Sequence, residues 1–327
     1  MRPTRRPIVL VTHPDVPTEA IKLLAERCDI DVQNEPIPRS LLLQRIVGKD
    51  ALFCLRTDKV DVQLLDAAGP TLKVVGTMSV GYDHIDVDEC RKRRIAVGNT
   101  PHVLTDSTAE LGIALLLATR RRLFEARSQI ESGAWAAQAS WSPMWMCGSE
   151  IRGTTVGFVG MGNIGKFGNI LRSNSALQGV GNGFHFLPFS IAEMEGAQFT
   201  RLDGLLRMSD IVIVTCTLTP ETTGMFNREA FSLMKKTASI INISRGAVID
   251  QDALYEALTT GKIASAGLDV VTPEPLANDH PLVKLPNCVL LPHIGGATTK
   301  ARKAMAVLTA QNILAALEGL PMPATVV

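Results

Sequence analysis

Apolar residues fall in short runs along this chain, separated by stretches in which they recur every third or fourth position. Runs at 7–12, 51–55 and 72–77 predict strands, and the periodic stretches 19–27 and 60–68 predict helices between them. That alternation predicts a small α/β unit with a parallel sheet. Ser107 and Glu110 have the spacing of a capping box and predict the start of one long helix reaching residue 130, with Leu111, Ala114, Leu115 and Ala118 along one stripe. A second alternation begins at Val156. Its runs at 156–159, 211–215, 239–243, 266–270 and 289–291 are almost wholly apolar, as strands covered on both faces should be. A helix over 300–318 closes the chain.

With 327 residues, 46% of them hydrophobic, the chain has material for about two domains with real cores. A net charge of +1 supplies no field to steer nucleic acid or an anionic membrane surface, so neither is expected as a partner. The longest apolar runs, such as 111–118, fall far short of the roughly 20 residues that span a bilayer. A strand follows the basic first residues at once, leaving no room for a targeting segment, and the expected location is cytoplasmic. Cys28, Cys54, Cys90, Cys147, Cys216 and Cys288 contain no C-x-x-C pair and read as buried free thiols. The six histidines show no metal-ligand spacing, and no metal is expected.

The candidate chemistry lies in the second alternation. The strand at 156–159 runs into Gly160-Met-Gly162-Asn163-Ile164-Gly165, a spacing that lets backbone turn tightly against a pyrophosphate. In open α/β sheets ligands bind beyond the carboxyl ends of the strands. Directly after the strand at 239–243 comes Arg245, after 266–270 comes Glu274, and after 289–291 comes His293. A guanidinium forks onto a carboxylate and holds its neighbouring carbonyl. A histidine gives that carbonyl a proton as hydride arrives, and a carboxylate beside the imidazole orients it and favours its charged form. The trio fits reduction of a 2-oxo acid. The tryptophans Trp135, Trp141 and Trp145, gathered in one irregular stretch, read as a local plug for that loop or, in preference, as a subunit contact.

At these residues the chain resembles the D-isomer-specific 2-hydroxyacid dehydrogenases. The resemblance is carried by "TMSVGYDHIDVDECRKRRIAVGNTPHVLTDSTAEL", "VGFVGMGNIG", "INISRGAVIDQDALYEALTTGKIASAGLDVVTPEPL" and "NCVLLPHIGGAT", which are spread over residues 77–298. It implies two Rossmann-like or flavodoxin-like α/β domains with parallel sheets, of the formate/glycerate dehydrogenase kind. A discontinuous substrate domain (1–105 with 296–327) encloses a dinucleotide domain (106–295) whose loop at about 133–150 joins a homodimer. By the same resemblance Arg245, Glu274 and His293 are catalytic, and Val80, Gly81, Arg56, Trp145 and Arg245 bind substrate. Thr108, Gly160, Gly162, Asn163, Ile164, Gly165, Thr217, Leu218, Ile243, Asp269 and Gly295 contact the cofactor. The implied substrates are glyoxylate and hydroxypyruvate, reduced with NADPH or NADH, NADPH slightly preferred.

Three features depart from the family's pattern. Arg56 stands where its animal members carry an apolar pocket residue, and Gly296 replaces a serine. Residues 166–192 break the expected helix and second strand with glycines and asparagines, and 151–192 contain no Asp or Glu to bind a ribose. That stretch reads either as one translated out of frame or as a divergent segment, and it predicts weakened cofactor binding. The rival readings are a nucleotide-binding interaction protein without catalysis and a pseudoenzyme scaffold.

Overall fold

A computed structural model describes residues 5–138, 142–164, 178–182 and 198–327, with 178–182 and 198 as backbone alone. The chain divides into two compact units, residues 1–104 with 297–327, and residues 105–296.

The first unit holds β1 (Ile8–Val11), α1 (Thr18–Ala25), β2 (Asp29–Val32), α2 (Arg39–Arg45), β3 (Ala51–Cys54), α3 (Val62–Ala68), β4 (Val74–Thr77), α4 (Val87–Lys92) and β5 (Ala96–Gly98). Its sheet runs in the order β2-β1-β3-β4-β5, all parallel, which is the flavodoxin-like winding. Alternation along each strand divides the core. Val9 and Val11 face α1 and the chain's last helix, with Phe53 and Val74 beside them. Leu10, Leu52 and Val75 face α2, α3 and α4. Helix starts at Asp61 and Asp86 are capped by their own carboxylates, which accept from the Leu64 and Glu89 amides. The apolar pattern misses β2 because it is a half-exposed edge strand reading Asp-Ile-Asp-Val. On the opposite edge the C-terminal tail covers β5: Val97 N–H donates to Val327 O (2.8 Å) and Val326 N–H to Val97 O (2.7 Å).

The second unit opens with α5 (Thr105–Arg120) and α6 (Leu123–Glu131), which corrects the single helix and its capping box. Ser107 is already the third residue of α5, so it is not the cap. The chain turns at Arg122, which takes a left-handed conformation (φ 54°). Tertiary contacts impose this break. The Ser149 amide takes the Arg120 carbonyl (2.9 Å), and the buried Arg120 guanidinium donates to Glu150 O (2.9 Å) and Ser239 Oγ (3.3 Å). Then follow β6 (Thr155–Val159), β7 (Gln178–Asn182), β8 (Gln198–Phe199), α7 (Leu202–Met208), β9 (Ile211–Val214), α8 (Arg228–Leu233), β10 (Ser239–Asn242), α9 (Gln251–Thr259), β11 (Ser265–Leu268) and β12 (Cys288–Leu290). The last helix, α10 (Thr299–Leu317), returns to the first unit.

The second sheet is parallel in the order β12-β11-β10-β9-β6-β7-β8. Strand order reverses between β6 and β9, and there the carboxyl ends open a crevice for a ligand. One face packs on α7, α8 and α9 through Leu205, Phe231, Leu254 and Leu258, and the other on α5 through Leu115 and Leu116. Strand β7 forms inside the glycine-rich segment that the sequence reads as broken. Its backbone pairs with β6 from Thr155↔Gln178 to Val159↔Asn182, because ladder bonds need only peptide groups. The rest of 166–192 lies outside the described residues.

Among the described residues no helix is long and apolar enough to cross a membrane, and no cluster of His, Cys, Asp or Glu is arranged to hold a metal. All six cysteines are free. Five are buried as expected, and Cys147 is exposed.

Candidate active site

Four neighbouring strands of the second unit deliver the candidate residues to one edge. Arg245 follows β10, Glu274 follows β11, His293 follows β12, and Thr217 and Leu218 follow β9. Glu274 and His293 meet: Oε2 lies 2.9 Å from His293 Nδ1, while Oε1 accepts from the Val271 amide at 3.1 Å. The carboxylate is thus anchored by its own loop at one oxygen and turns the other on the imidazole. Both side chains keep about a fifth of their surface exposed, so neither is sealed off from a substrate.

His293 adopts a left-handed backbone (φ 56°), unusual for a residue with a side chain. Asp269 holds that turn in place. Its buried carboxylate accepts from the Ile294 and Gly295 amides, each at 2.8 Å, and its carbonyl accepts from the His293 amide at 2.8 Å. Burial raises the Asp269 pKa, and those two amides and the nearby His293 oppose the rise. Asp269, Gly295 and Thr108 come together, since a Cβ on Gly295 would lie 3.1 Å from Thr108 Cγ2 and 3.2 Å from Asp269 Oδ2.

Three residues that position Arg245 and Glu274 escape sequence reasoning. Asn242, fully buried at the end of β10, donates to the Arg245 carbonyl (2.9 Å) and accepts from the Ser244 amide and hydroxyl (both 3.0 Å). Gly246 lets the Arg245 loop lie against the Val271 backbone, where a Cβ would collide with the Val271 carbonyl. Gln251 clamps the Glu274 loop, its amide exchanging two bonds with the Thr272 backbone (2.6 and 2.8 Å). The only local signal was the small Gly246 after Arg245; the other two act on loops across sequence gaps that no spacing rule reads.

The glycine turn fits a dinucleotide. Gly160 has φ 101°, and a Cβ there would sit 2.5 Å from the Cys216 amide nitrogen, so only glycine lets β6 and β9 approach at the crevice. Among the described residues, nothing lies within 4 Å of where a Cβ on Gly162 would stand. Met161 and Ile164 pack behind it on the α5-facing core, as Ile243 does, and Asn163 is exposed. Gly165 lies outside the described residues. In the first unit, Val80 and Gly81 follow β4 and are half-exposed, while Arg56 follows the adjacent β3 and is exposed. Trp145 is half-buried between α6 and β6, Trp135 is exposed, and Trp141 lies outside the described residues.

Residues 113–295 match the family model for the D-isomer specific 2-hydroxyacid dehydrogenase NAD binding domain. The chain is 48% identical to the glyoxylate reductase/hydroxypyruvate reductase of Homo sapiens, over 99% of this chain and 98% of that protein. The chain belongs to the D-isomer-specific 2-hydroxyacid dehydrogenases. Another relative, the glyoxylate reductase of Thermofilum pendens, is 44% identical over 98% of this chain and 94% of its own length. Among solved structures, an NADPH-dependent glyoxylate/hydroxypyruvate reductase from Sinorhizobium meliloti, in complex with NADP and malonate, superposes with a TM-score of 0.86. It is 30% identical and covers 98% of this chain and 97% of that one. A glyoxylate reductase from Paecilomyes thermophila gives a TM-score of 0.86 at 27% identity, with 98% of each chain covered. As a member of this family the protein is an NAD(P)-dependent dehydrogenase of the α/β class.

Proposed function

We propose that the protein reduces glyoxylate and hydroxypyruvate to glycolate and D-glycerate, with NADPH slightly preferred over NADH. Residues 105–296 form the dinucleotide domain and the remainder the substrate domain. The observation that carries the reading is the 2.9 Å pair of Glu274 and His293 at the carboxyl edge of β11 and β12, one strand from Arg245.

Each residue has a defined task. The Arg245 guanidinium binds the substrate carboxylate, which fixes the adjacent carbonyl. The Val80–Gly81 turn of the first unit offers backbone amides to a carboxylate. Because His293 Nδ1–H faces Glu274, Nε2 is the ring atom left to give its proton to the carbonyl oxygen. Glu274 holds the ring orientation and stabilises the imidazolium before transfer; in the oxidative direction the same Nε2 takes the proton back. Gly160, Gly162, Asn163, Ile164, Thr217, Leu218, Ile243, Thr108, Asp269 and Gly295 line the dinucleotide's place, and the bound reduced nicotinamide supplies hydride to the carbonyl carbon. Arg56 borders the substrate, and Trp145 of one copy reaches into the substrate pocket of the other. The names of the human and Sinorhizobium meliloti relatives support the substrate pair, and the second also supports NADPH.

The protein acts as a homodimer. Leu117, Leu123, Phe124, Ile130, Trp135 and Met144 are exposed on α5, α6 and the loop after them, an apolar surface suited to a second copy.

Loss of NADPH absorbance on adding glyoxylate or hydroxypyruvate tests the reaction. His293→Ala is expected to lower kcat by roughly 10²–10⁴-fold. Tight nucleotide binding without turnover would instead identify a sensor.

A further inference from the structure

The turn after β4 is fixed by a chain of buried hydroxyl groups whose proton directions follow from simple counting. Ser79 Oγ donates to the Gly81 carbonyl at 2.6 Å. A serine hydroxyl has one proton, so the 2.8 Å contact between Thr77 Oγ1 and Ser79 Oγ runs from threonine to serine. The threonine proton is then committed, and the 3.0 Å contact with His84 Nε2 runs from the ring, which therefore carries hydrogen on Nε2. The relay is polarised in one direction, His84 to Thr77 to Ser79 to Gly81, an arrangement in which each bond strengthens the next.

Two more bonds complete the hold. Asn99 Nδ2 donates to the Val80 carbonyl at 2.7 Å, and the Thr100 amide donates to the Ser79 carbonyl at 2.9 Å. Asn99 is itself held through its carbonyl by the fully buried Asn312 on α10 (2.9 Å). Three successive carbonyls, of residues 79, 80 and 81, are thus drawn toward the interior of the first unit. In a trans peptide the N–H points opposite to its C=O. The amides of Val80, Gly81 and Tyr82 are therefore turned the other way, away from those buried partners.

We propose that Ser79 and Asn99, backed by Thr77 and His84, are positioning residues that aim the Val80–Gly81 amides and so set the affinity for the substrate carboxylate. The inference rests on assigning that turn to the substrate. Thr77 is fully buried and Ser79 6% exposed, so no water replaces a missing partner without rearrangement.

Thr77→Val keeps the side chain's shape and removes its proton, whereas Thr77→Ser keeps the proton. In steady-state assays with glyoxylate, Thr77→Val and Ser79→Ala are expected to raise KM about tenfold while kcat stays within about threefold. Nucleotide affinity should not change, and Thr77→Ser should restore the wild-type KM. A Thr77→Val enzyme with KM within about twofold of wild type overturns the proposal, as does equal damage from Thr77→Ser. If the wild-type protein fails to turn over glyoxylate, the reaction reading fails, and calorimetric titration with oxalate decides for the turn alone. Oxalate binding weakened about tenfold in Thr77→Val but not in Thr77→Ser supports the role. Equal or absent binding refutes it.

Discussion

Glu274 works by dividing its carboxylate, one oxygen on the Val271 amide and the other on His293. Glu274→Gln keeps the size but loses the charge that favours the imidazolium, and its amide can present N–H to Nδ1. We expect kcat to fall by about 10²-fold or more, as stopped-flow and steady-state assays would show. Gly160→Ala sets a methyl 2.5 Å from a backbone nitrogen that cannot move alone, at a φ that disfavours any side chain. It should lower stability by about 1–3 kcal/mol and weaken nucleotide binding, read by thermal melts and fluorescence titration. Arg245, Glu274 and His293 were legible in the sequence because each directly follows an apolar run, and the edge of a parallel sheet gathers whatever follows its strands. Asn242 and Gln251 were not legible. Their work is done through backbone groups of other loops, and nothing in a buried asparagine or a surface glutamine announces which loop it will meet.

Strands were easier to read than helices at the scale of elements. Buried parallel strands are continuous apolar runs, whereas the end of α5 is set by Arg120 and Ser149, which meet only when the chain has folded. Strand β7 shows the converse, a regular element in a segment whose composition argues against one. Helices α8 and α9 are joined by ions: Glu256 accepts from Lys262 (2.8 Å) and Arg228 (2.7 Å). These bonds hold its carboxyl at about 2, below the usual carboxylate range. A depressed carboxylate contributes stability above its ordinary pKa and loses it as pH falls toward the folded value. Melting temperatures of the wild type should therefore decline between about pH 5 and pH 2 more steeply than those of Glu256→Gln.

For the whole molecule, two α/β alternations were legible in the apolar runs, whereas the strand order within each sheet was not, because it is set by which strands meet after folding. Assembly is the property argued at this scale. Phe124→Asp, in the exposed apolar surface of α6, should convert a particle of twice the chain's mass into one of single mass in sedimentation equilibrium. A single-mass wild type would instead remove the dimer from the proposal.

Burial pushes the thiols of Cys90 and Cys216 up to about 11 and that of Cys288 to about 12, and Cys28 and Cys54 are raised as well. Cys147 alone stands exposed, on the loop that carries Trp145. On the single chain a maleimide dye at neutral pH should accordingly attach with a stoichiometry of one, and pairing of two copies through this loop should slow the attachment. The rate of attachment, followed as the protein is diluted, would then report whether two copies cover this loop.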